Sequence, residues 1–471
     1  MLRSFSWLVL SIATLGAATV ACSSSATADD AEGDEPSEDA LEAARATTAE
    51  GLPVFTSESP SGGTSFNFCT TPAQDGSVNL TNAAWLAMLS ANEYAHLGYF
   101  APQLLDFGFG QPSDRMWVEC GHDLGRVRDY ELTHETEVAE IQKRGPAALL
   151  SYFRDPNRLA KFGTCGASFV QTKYTGLGPD GPELPGSSFR DSLMGQSTDA
   201  SYIQFLSAKP YTFLERLMGR GSAQAAIAKH GTLPIVIVSF RGTEPPSKDE
   251  PRFRQLVDLI TDVDAFKTDL TNAAFSPGWG YAHRGFVNSF QALDDVDAGR
   301  ALTRRLRMLT KDDPNVGIWI TGHSLGGALA TLMTARLLDM KDQGIPLNVK
   351  GMVTFGSPMV GNEVFKARLE DAAKTHGVSL VRFRNDQDRV TWAPSFGHES
   401  FNYHHVGTLA FLNASGFSTP KSEPGYPAAT MDDHSIAGLL GPAQARTKKS
   451  GYYVRIRDAM RANPALSKCG R

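Results

Sequence analysis

The sequence has little cysteine, with only five residues in a chain of 471. It also lacks His, Cys and Asp clusters with the spacing of metal ligands, so no metal or organic cofactor is implied. No basic patch interleaved with aromatic residues is present, which argues against nucleic-acid binding. After the N-terminus, no apolar run is long enough to span a membrane.

Charge is present but unevenly distributed. The formal net charge is −6, yet residues 1–50 carry nine acidic and two basic side chains, so the remaining residues are close to neutral. With 41% hydrophobic residues, the chain can bury a large core. Its length fits one large domain with insertions, or two domains.

The N-terminus has the pattern of an export signal. A short basic start at Arg3 precedes an apolar stretch from Trp7 to Val20, and small residues then lead to Cys22. This predicts a signal peptide over 1–21. The cysteine at the cleavage point resembles a bacterial lipobox, although Thr19 stands where an aliphatic residue is usual. Cys22 would then be lipidated and anchor the protein to a membrane surface. The alternative is an ordinary cleavage site followed by an incidental cysteine.

Removing Cys22 leaves an even number of cysteines. Four remain for two disulfides in an oxidising compartment, and three pairings are open; the candidates are Cys69, Cys120, Cys165 and Cys469. The acidic segment 22–50 is expected to be a disordered tether. Residues 51–197 are expected to form an N-terminal elaboration with helices, the first capped by Thr81 and running to about His96. Residues 446–471 are expected to be a C-terminal tail.

Between 198 and 445 the pattern predicts an α/β fold. Tyr202–Ala208 alternates like a strand, and four buried apolar runs follow, at 233–240, 316–321, 349–355 and 379–383. Helical segments separate several of them. Continuous apolar strands that alternate with helices indicate a mostly parallel central sheet with helices on both faces.

One serine lies at a strand-to-helix turn. Gly322-His323-Ser324-Leu325-Gly326 follows the apolar run "VGIWIT" and opens a helical pattern. In such a nucleophile elbow, glycines accommodate a strained serine, and backbone N–H groups lie where an oxyanion develops. A chance Gly-x-Ser-x-Gly match is the alternative, and the strand-helix context argues against it. Phe240-Arg241-Gly242-Thr243, at the end of another strand, could supply a further N–H.

Several motifs together resemble one family. In order they are "FRGT" (240–243), "HRGF" (283–286), "GHSLGGALA" (322–330), "TFGSPMVGN" (354–362), "NDQDRV" (385–390), "YHHVG" (403–407) and "DDHS" (432–435). The chain therefore resembles the class 3, or fungal-type, triacylglycerol lipase family of α/β-hydrolases, over roughly 198–440.

The resemblance implies a role for each matching residue. Ser324 would be the nucleophile, Asp388 the acid and His434 the base, and the N–H groups of Thr243 and Leu325 would form the oxyanion hole. The chain order Ser, Asp, His is also that of α/β-hydrolases. Asp386 and His405 are the competitors for acid and base, and a structural role is the better interpretation of His283, His404 and His405. Where the family often has an aromatic residue shortly after the histidine, Ser435-Ile436-Ala437 follows here.

The implied activity is hydrolysis of lipid esters through an acyl-enzyme. The family's lid position, 244–259, is longer, charged and interrupted by proline in this chain. A phospholipase A1-type activity and a soluble-ester or feruloyl esterase on the same scaffold remain open. An inactive surface lipoprotein is the alternative outside the enzymes. Oligomeric state stays undetermined at this point.

Overall fold

A computed structural model describes the parts of the chain that carry the sheet and the motifs around it. The described residues are 66–70, 78–92, 107–109, 130, 134–162, 203–207, 224–242, 267–294, 302–395, 402–425, 434, 436 and 451–468. All of them lie within one compact unit.

The described helices and strands alternate along the middle of the chain. The helices are α1 (Leu80–Asn92), α2 (Glu135–Lys143), α3 (Pro146–Phe153), α4 (Pro156–Lys161), α5 (Arg284–Asp294), α6 (Leu302–Thr310), α7 (Leu325–Asp342), α8 (Glu363–His376) and α9 (Tyr452–Ala462). The strands are β1 (Ile203–Ser207), β2 (Gln224–Lys229), β3 (Ile235–Phe240), β4 (Lys267–Asp269), β5 (Tyr281–His283), β6 (Gly317–His323), β7 (Asn348–Phe355), β8 (Ser379–Asn385), β9 (Thr408–Asn413) and β10 (Gly416–Ser418). Short 3₁₀ turns cover Leu270–Ala273, Arg389–Trp392 and Pro464–Ser467.

The main sheet has the order β1-β2-β3-β6-β7-β8-β9-β10. Strands β3, β6, β7, β8 and β9 are parallel, while β1, β2 and β10 extend the edges in antiparallel pairing. Strands β4 and β5 form a separate antiparallel pair. The predicted α/β-hydrolase fold, a mostly parallel sheet with helices on both faces, is therefore confirmed.

Each face of the sheet buries its own core. Successive side chains of a strand point to opposite faces, so β6 sends Ile318 and Ile320 into one cluster and Trp319 into the other. The first cluster is covered by α5, α6, α7 and α8. The second cluster is covered by α1 and α9. Burial on both faces explains why these strands read as continuous apolar runs rather than alternating ones.

The helix α1 begins slightly earlier than expected. Its first residue is Leu80, and the Asn79 side chain accepts a hydrogen bond from the Asn82 N–H at 2.9 Å, so Asn79 takes the cap that was assigned to Thr81. The Thr81 hydroxyl instead donates to the Ser467 carbonyl at 2.9 Å. Near its other end, Ser90 shares a hydrogen bond with Thr321 of β6 at 3.0 Å. The α1 helix thus belongs to the sheet's own core.

The segment expected as a C-terminal tail contains a packed helix. Tyr452, Tyr453, Ile456, Ala459 and Met460 of α9 are buried. The helix contacts α1 and strands β8, β9 and β10. Its apolar residues recur at helical spacing in "YYVRIRDAM", which explains why it packs on a sheet face.

Cys69 is disulfide-bonded. The Asn79 side-chain amide lies 3.2 Å from the Cys69 sulfur and 3.0 Å from the Lys468 carbonyl oxygen, so these two chain positions are neighbours. The predicted signal peptide and tether, and Cys22, Cys120, Cys165 and Cys469, lie outside the described residues. Among the described helices, none combines the length and apolar character that a membrane crossing requires.

Candidate active site

Ser324 lies in the turn between β6 and α7, with a strained backbone. Its φ is 59° and its ψ −130°, a region that residues with a side chain rarely adopt. The Ser324 N–H donates to the Phe355 carbonyl at the end of β7, at 2.9 Å, which ties the turn to the next strand. The strand, turn and helix predicted from the sequence are all present.

Gly326 lets this turn approach the end of β3. A Cβ on Gly326 would lie 2.3 Å from the Phe240 carbonyl oxygen, which is too close for any residue with a side chain. The second glycine of the Gly-x-Ser-x-Gly motif therefore has a steric reason. The absence of a side chain at Gly326 lets Phe240 and Arg241 lie against the start of α7.

Ser324, His434 and Asp388 form one hydrogen-bonded chain. The Ser324 Oγ lies 2.9 Å from His434 Nε2. His434 Nδ1 lies 3.0 Å from Asp388 Oδ1 and 2.9 Å from Oδ2. All three side chains are buried. Because a carboxylate only accepts, His434 Nδ1 carries the proton, which leaves Nε2 free to accept from the serine hydroxyl.

Asp388 rather than Asp386 contacts the histidine. Asp388 is fully buried, and its carboxylate also accepts from the Val390 N–H at 2.9 Å, as the cap of the 3₁₀ turn that follows. Asp386 pairs instead with Arg455 of α9 at 3.3 Å and is partly exposed. The two carboxylates of "NDQDRV" thus have separate partners.

The His323 side chain forms a hydrogen bond with the backbone of His434. His323 Nε2 lies 2.6 Å from the His434 carbonyl oxygen, so that nitrogen carries the proton and donates. Burial lowers the pKa of His323 well below its ordinary value, and the neighbouring His434 lowers it further. A neutral His323 next to the serine leaves the site free of a second imidazolium.

The oxyanion-hole prediction is only partly within the described residues. Leu325 is the first residue of α7, where helical N–H groups have no partner within the helix. Among the described backbone groups, none accepts from the Leu325 N–H. Thr243 lies outside the described residues, and so do the lid segment 244–259 and the aspartates at 432 and 433.

Gly356 makes room for the contact between acid and base. It follows β7 with a φ of +58°, and a Cβ there would lie 2.7 Å from Asp388 Oδ2 and 3.0 Å from His434 Nδ1. Both the left-handed backbone and the crowding disfavour a side chain, which would have to displace the acid or the histidine. The glycine of "TFGSP" is therefore part of the site, although the sequence pattern alone gave it no role.

The remaining histidines lie elsewhere. His283 is buried and stacks on Phe286 with ring centroids 4.2 Å apart. His404 contacts Asn402 at 2.6 Å. Desolvation and the nearby Arg382 lower the pKa of His405 to about 3, in a charged cluster that also contains Glu423. None of the three has Ser324 among its described hydrogen-bond partners.

Two other polar residues of the motifs are also buried. Ser357 donates to the Pro358 carbonyl at 3.0 Å, and Arg241 is buried beside the elbow at the end of β3. Within the described part of the chain, no group of three His, Cys, Asp or Glu side chains could hold a metal ion.

A family model matches the region that carries this site. Residues 237–398 match the model "Lipase (class 3)", which covers the elbow and the acid. This stretch of the chain is similar to the class 3 lipase family. In the main sheet, Ser324 follows β6 and Asp388 follows β8.

Curated relatives of this chain carry two kinds of name. The chain is 39% identical over 231 residues to "Phospholipase A1-Igamma2, chloroplastic" of Arabidopsis thaliana, covering 44% of this chain and 37% of the relative. It is 25% identical over 221 residues to "Triacylglycerol lipase OBL1" of Ricinus communis, covering 40% of each. The chain spans about two fifths of the length of the curated relatives it matches. Lipase II from Rhizopus niveus, a solved structure, is 19% identical with a TM-score of 0.38, covering 54% of this chain and 84% of that one.

Proposed function

We propose that this protein is a serine hydrolase of the class 3 lipase family that cleaves carboxylic esters of lipids. The observation that carries the proposal is the buried chain from Ser324 through His434 to Asp388, with every link at 2.9–3.0 Å. Each group is in the state that nucleophilic catalysis needs: a serine hydroxyl, an imidazole with a free Nε2, and a carboxylate on Nδ1.

In the proposed reaction, the Ser324 Oγ attacks the ester carbonyl carbon while His434 Nε2 takes its proton. Asp388 stabilises the imidazolium that forms, without accepting the proton itself. The imidazolium then protonates the departing alcohol, which leaves an acyl group on Ser324. Water enters, gives a proton to His434 and attacks the acyl carbon. Collapse of the second tetrahedral intermediate releases the carboxylic acid and restores the serine.

The negative oxygen of each tetrahedral intermediate needs N–H donors. The Leu325 N–H at the start of α7 is the first, and the positive end of the helix adds to it. Thr243 would supply the second donor. The approach of Gly326 to Phe240 supports this assignment, because it brings the segment before Thr243 to the serine turn. Losing one such donor typically lowers turnover by about 10²–10³-fold.

The substrate class is proposed as lipid ester, and the relatives favour two versions of it. Triacylglycerol hydrolysis agrees with the lipase-named relative, and a phospholipase A1-type activity agrees with relatives at 32% and 39% identity. Soluble or feruloyl esters stay as the alternative on the same scaffold. Comparing hydrolysis of emulsified triacylglycerol, phosphatidylcholine vesicles and a dissolved short-chain ester distinguishes the three.

Export and anchoring are part of the proposal. The signal-like residues 1–21 and Cys22 favour an extracytoplasmic protein held at a membrane surface by lipid, or otherwise a secreted one.

A disulfide between Cys69 and Cys469 is proposed as well. It is supported by the Asn79 side chain, which contacts both the Cys69 sulfur and the carbonyl of Lys468, the residue before Cys469.

A fluorophosphonate probe tests the nucleophile directly. The serine oxygen attacks phosphorus and fluoride leaves, so only an activated serine is labelled. We expect labelling of the wild-type chain and none of Ser324→Ala. His434→Ala should lose about 10³-fold or more in ester turnover, whereas the matched change His405→Ala should keep most of it. If the folded wild-type protein takes no label, the alternative of an inactive lipoprotein holds instead. Near-normal turnover of His434→Ala would refute the assignment of His434 as the base.

A further inference from the structure

We propose that Tyr452, the first residue of α9, is a positioning residue that fixes the carboxylate of Asp388 and sets how strongly it supports His434. This inference rests on the proposed triad and extends it with a side chain from outside the matched residues 237–398.

The hydroxyl of Tyr452 lies between two groups of the acid segment. It donates to Asp388 Oδ2 at 2.5 Å and accepts from the Asn385 N–H at 3.1 Å. One contact holds the carboxylate, and the other holds the end of β8 from which the acid segment departs. Because the tyrosine is fully buried, no water competes for either bond.

The same helix turn also anchors the segment of the base. The N–H of Tyr453 donates to the Ile436 carbonyl at 2.9 Å, two residues after His434. The Tyr452 ring packs edge-on against His323, with centroids 6.0 Å apart, and His323 in turn holds the His434 carbonyl. The start of α9 therefore contacts the acid directly and the base through its backbone.

Tyr452 can only act as a donor toward the acid. Burial and the adjacent Asp388 raise the pKa of its hydroxyl well above the ordinary value, so it stays protonated at any pH at which the protein works. Its hydrogen bond withdraws charge from Oδ2, the same oxygen that lies 2.9 Å from His434 Nδ1. A carboxylate that already accepts a short hydrogen bond is a weaker base and stabilises the imidazolium less.

Removing the Tyr452 hydroxyl should shift the balance between imidazolium and neutral imidazole at His434 in a defined direction. Without the Tyr452 bond, Asp388 carries more charge toward His434, so the imidazolium is favoured over the neutral imidazole. His323 at the end of β6 and Arg384 on β8 also interact electrostatically with this group of residues, and Tyr452→Phe replaces neither. At the same time the carboxylate is less firmly held, which lowers turnover on the plateau.

The test is Tyr452→Phe, with Tyr453→Phe as the matched control on the next residue of the same helix. Both changes remove one buried hydroxyl and keep the ring. The rate of fluorophosphonate labelling of Ser324 and kcat/KM for a dissolved ester are measured from pH 5 to 9, with the thermal midpoint of each variant. For Tyr452→Phe we expect the acid limb of both profiles to move up by about half a pH unit or more, and plateau turnover to fall about tenfold.

Tyr453→Phe should keep the acid limb of the wild type. An unchanged limb in Tyr452→Phe, with or without a lower thermal midpoint, would leave Tyr452 a packing residue and refute the inference while the triad stands. Equal shifts in both tyrosine variants would refute it too, since the effect would then belong to the helix. If the wild-type chain takes no label at any pH, the proposed function itself fails, and the inference with it.

Discussion

Gly356 offers a test of how closely the acid and base are packed. The change is Gly356→Ala, which adds one methyl group where Asp388 Oδ2 lies 2.7 Å away and His434 Nδ1 3.0 Å away. Ordinary contacts of a Cβ begin near 3.4 Å. The carboxylate or the imidazole must therefore move away from the new methyl group by several tenths of an ångström, which disturbs the contact between them. A displacement of about 1 Å in a catalytic site can cost about 10²-fold, so we expect a loss of turnover between about tenfold and a hundredfold.

The matched control for this change is Gly377→Ala at the end of α8. Gly377 has a φ of +66°, close to the +58° of Gly356, but no atom lies within 4 Å of its Cβ position. Both variants should lose about 1 kcal/mol of stability from the left-handed backbone. Only Gly356→Ala should lose turnover, measured on a dissolved ester well below the thermal midpoint of both. Wild-type turnover in Gly356→Ala, or an equal loss in both, would contradict the reasoning.

Two further predictions concern stability and covalent structure. Arg382 and Arg384 lower the pKa of Glu423 to about 2, so the ionised carboxylate stabilises the fold fully above the unfolded pKa near 4.5, and this stabilisation is lost as the pH falls toward 2. Glu423→Gln should therefore lower the free energy of unfolding by about 2 kcal/mol at pH 7 and by much less at pH 2.5. A loss of stability in chemical denaturation that stays constant with pH would refute this. Mass spectrometry of a non-reduced digest should find Cys69 linked to Cys469; a linkage of Cys69 to Cys120 or Cys165 would overturn the pairing.

The buried strands were predictable because their composition follows from their position. Strands β3, β6, β7 and β8 are covered on both faces, and each coincides with an apolar run in the sequence. Strand β2 was not predicted. Its sequence "QAAIAK" is rich in alanine, a helix former, and it is a strand because it pairs with β1 on one side and β3 on the other. Tertiary pairing here overrides local propensity.

The residues of the candidate site were likewise only partly predictable from the local sequence. The elbow could be predicted from one short stretch, because the strained backbone at Ser324 and the close approach at Gly326 both require glycines at neighbouring positions in the sequence. The choice between Asp388 and Asp386 came only from resemblance to a family pattern, since both are aspartates after the same strand. What separates them is which side chain reaches the buried histidine and which reaches Arg455, and that depends on packing across 40–70 residues of chain.

The contact of Tyr452 with Asp388 could not be predicted from the local sequence, for a physical reason. A buried tyrosine at the start of an amphipathic helix is the ordinary composition of a core, so nothing in "GYYVRIRD" separates the first tyrosine from the second. The two differ only in where their side chains go, and Tyr452 reaches Asp388 because α9 lies against β8. The resemblance points to an aromatic residue shortly after His434, and this chain has none in 435–437. In this chain a tyrosine hydroxyl from a helix outside the matched motifs donates to Asp388, so the proposed catalytic unit extends at least to α9.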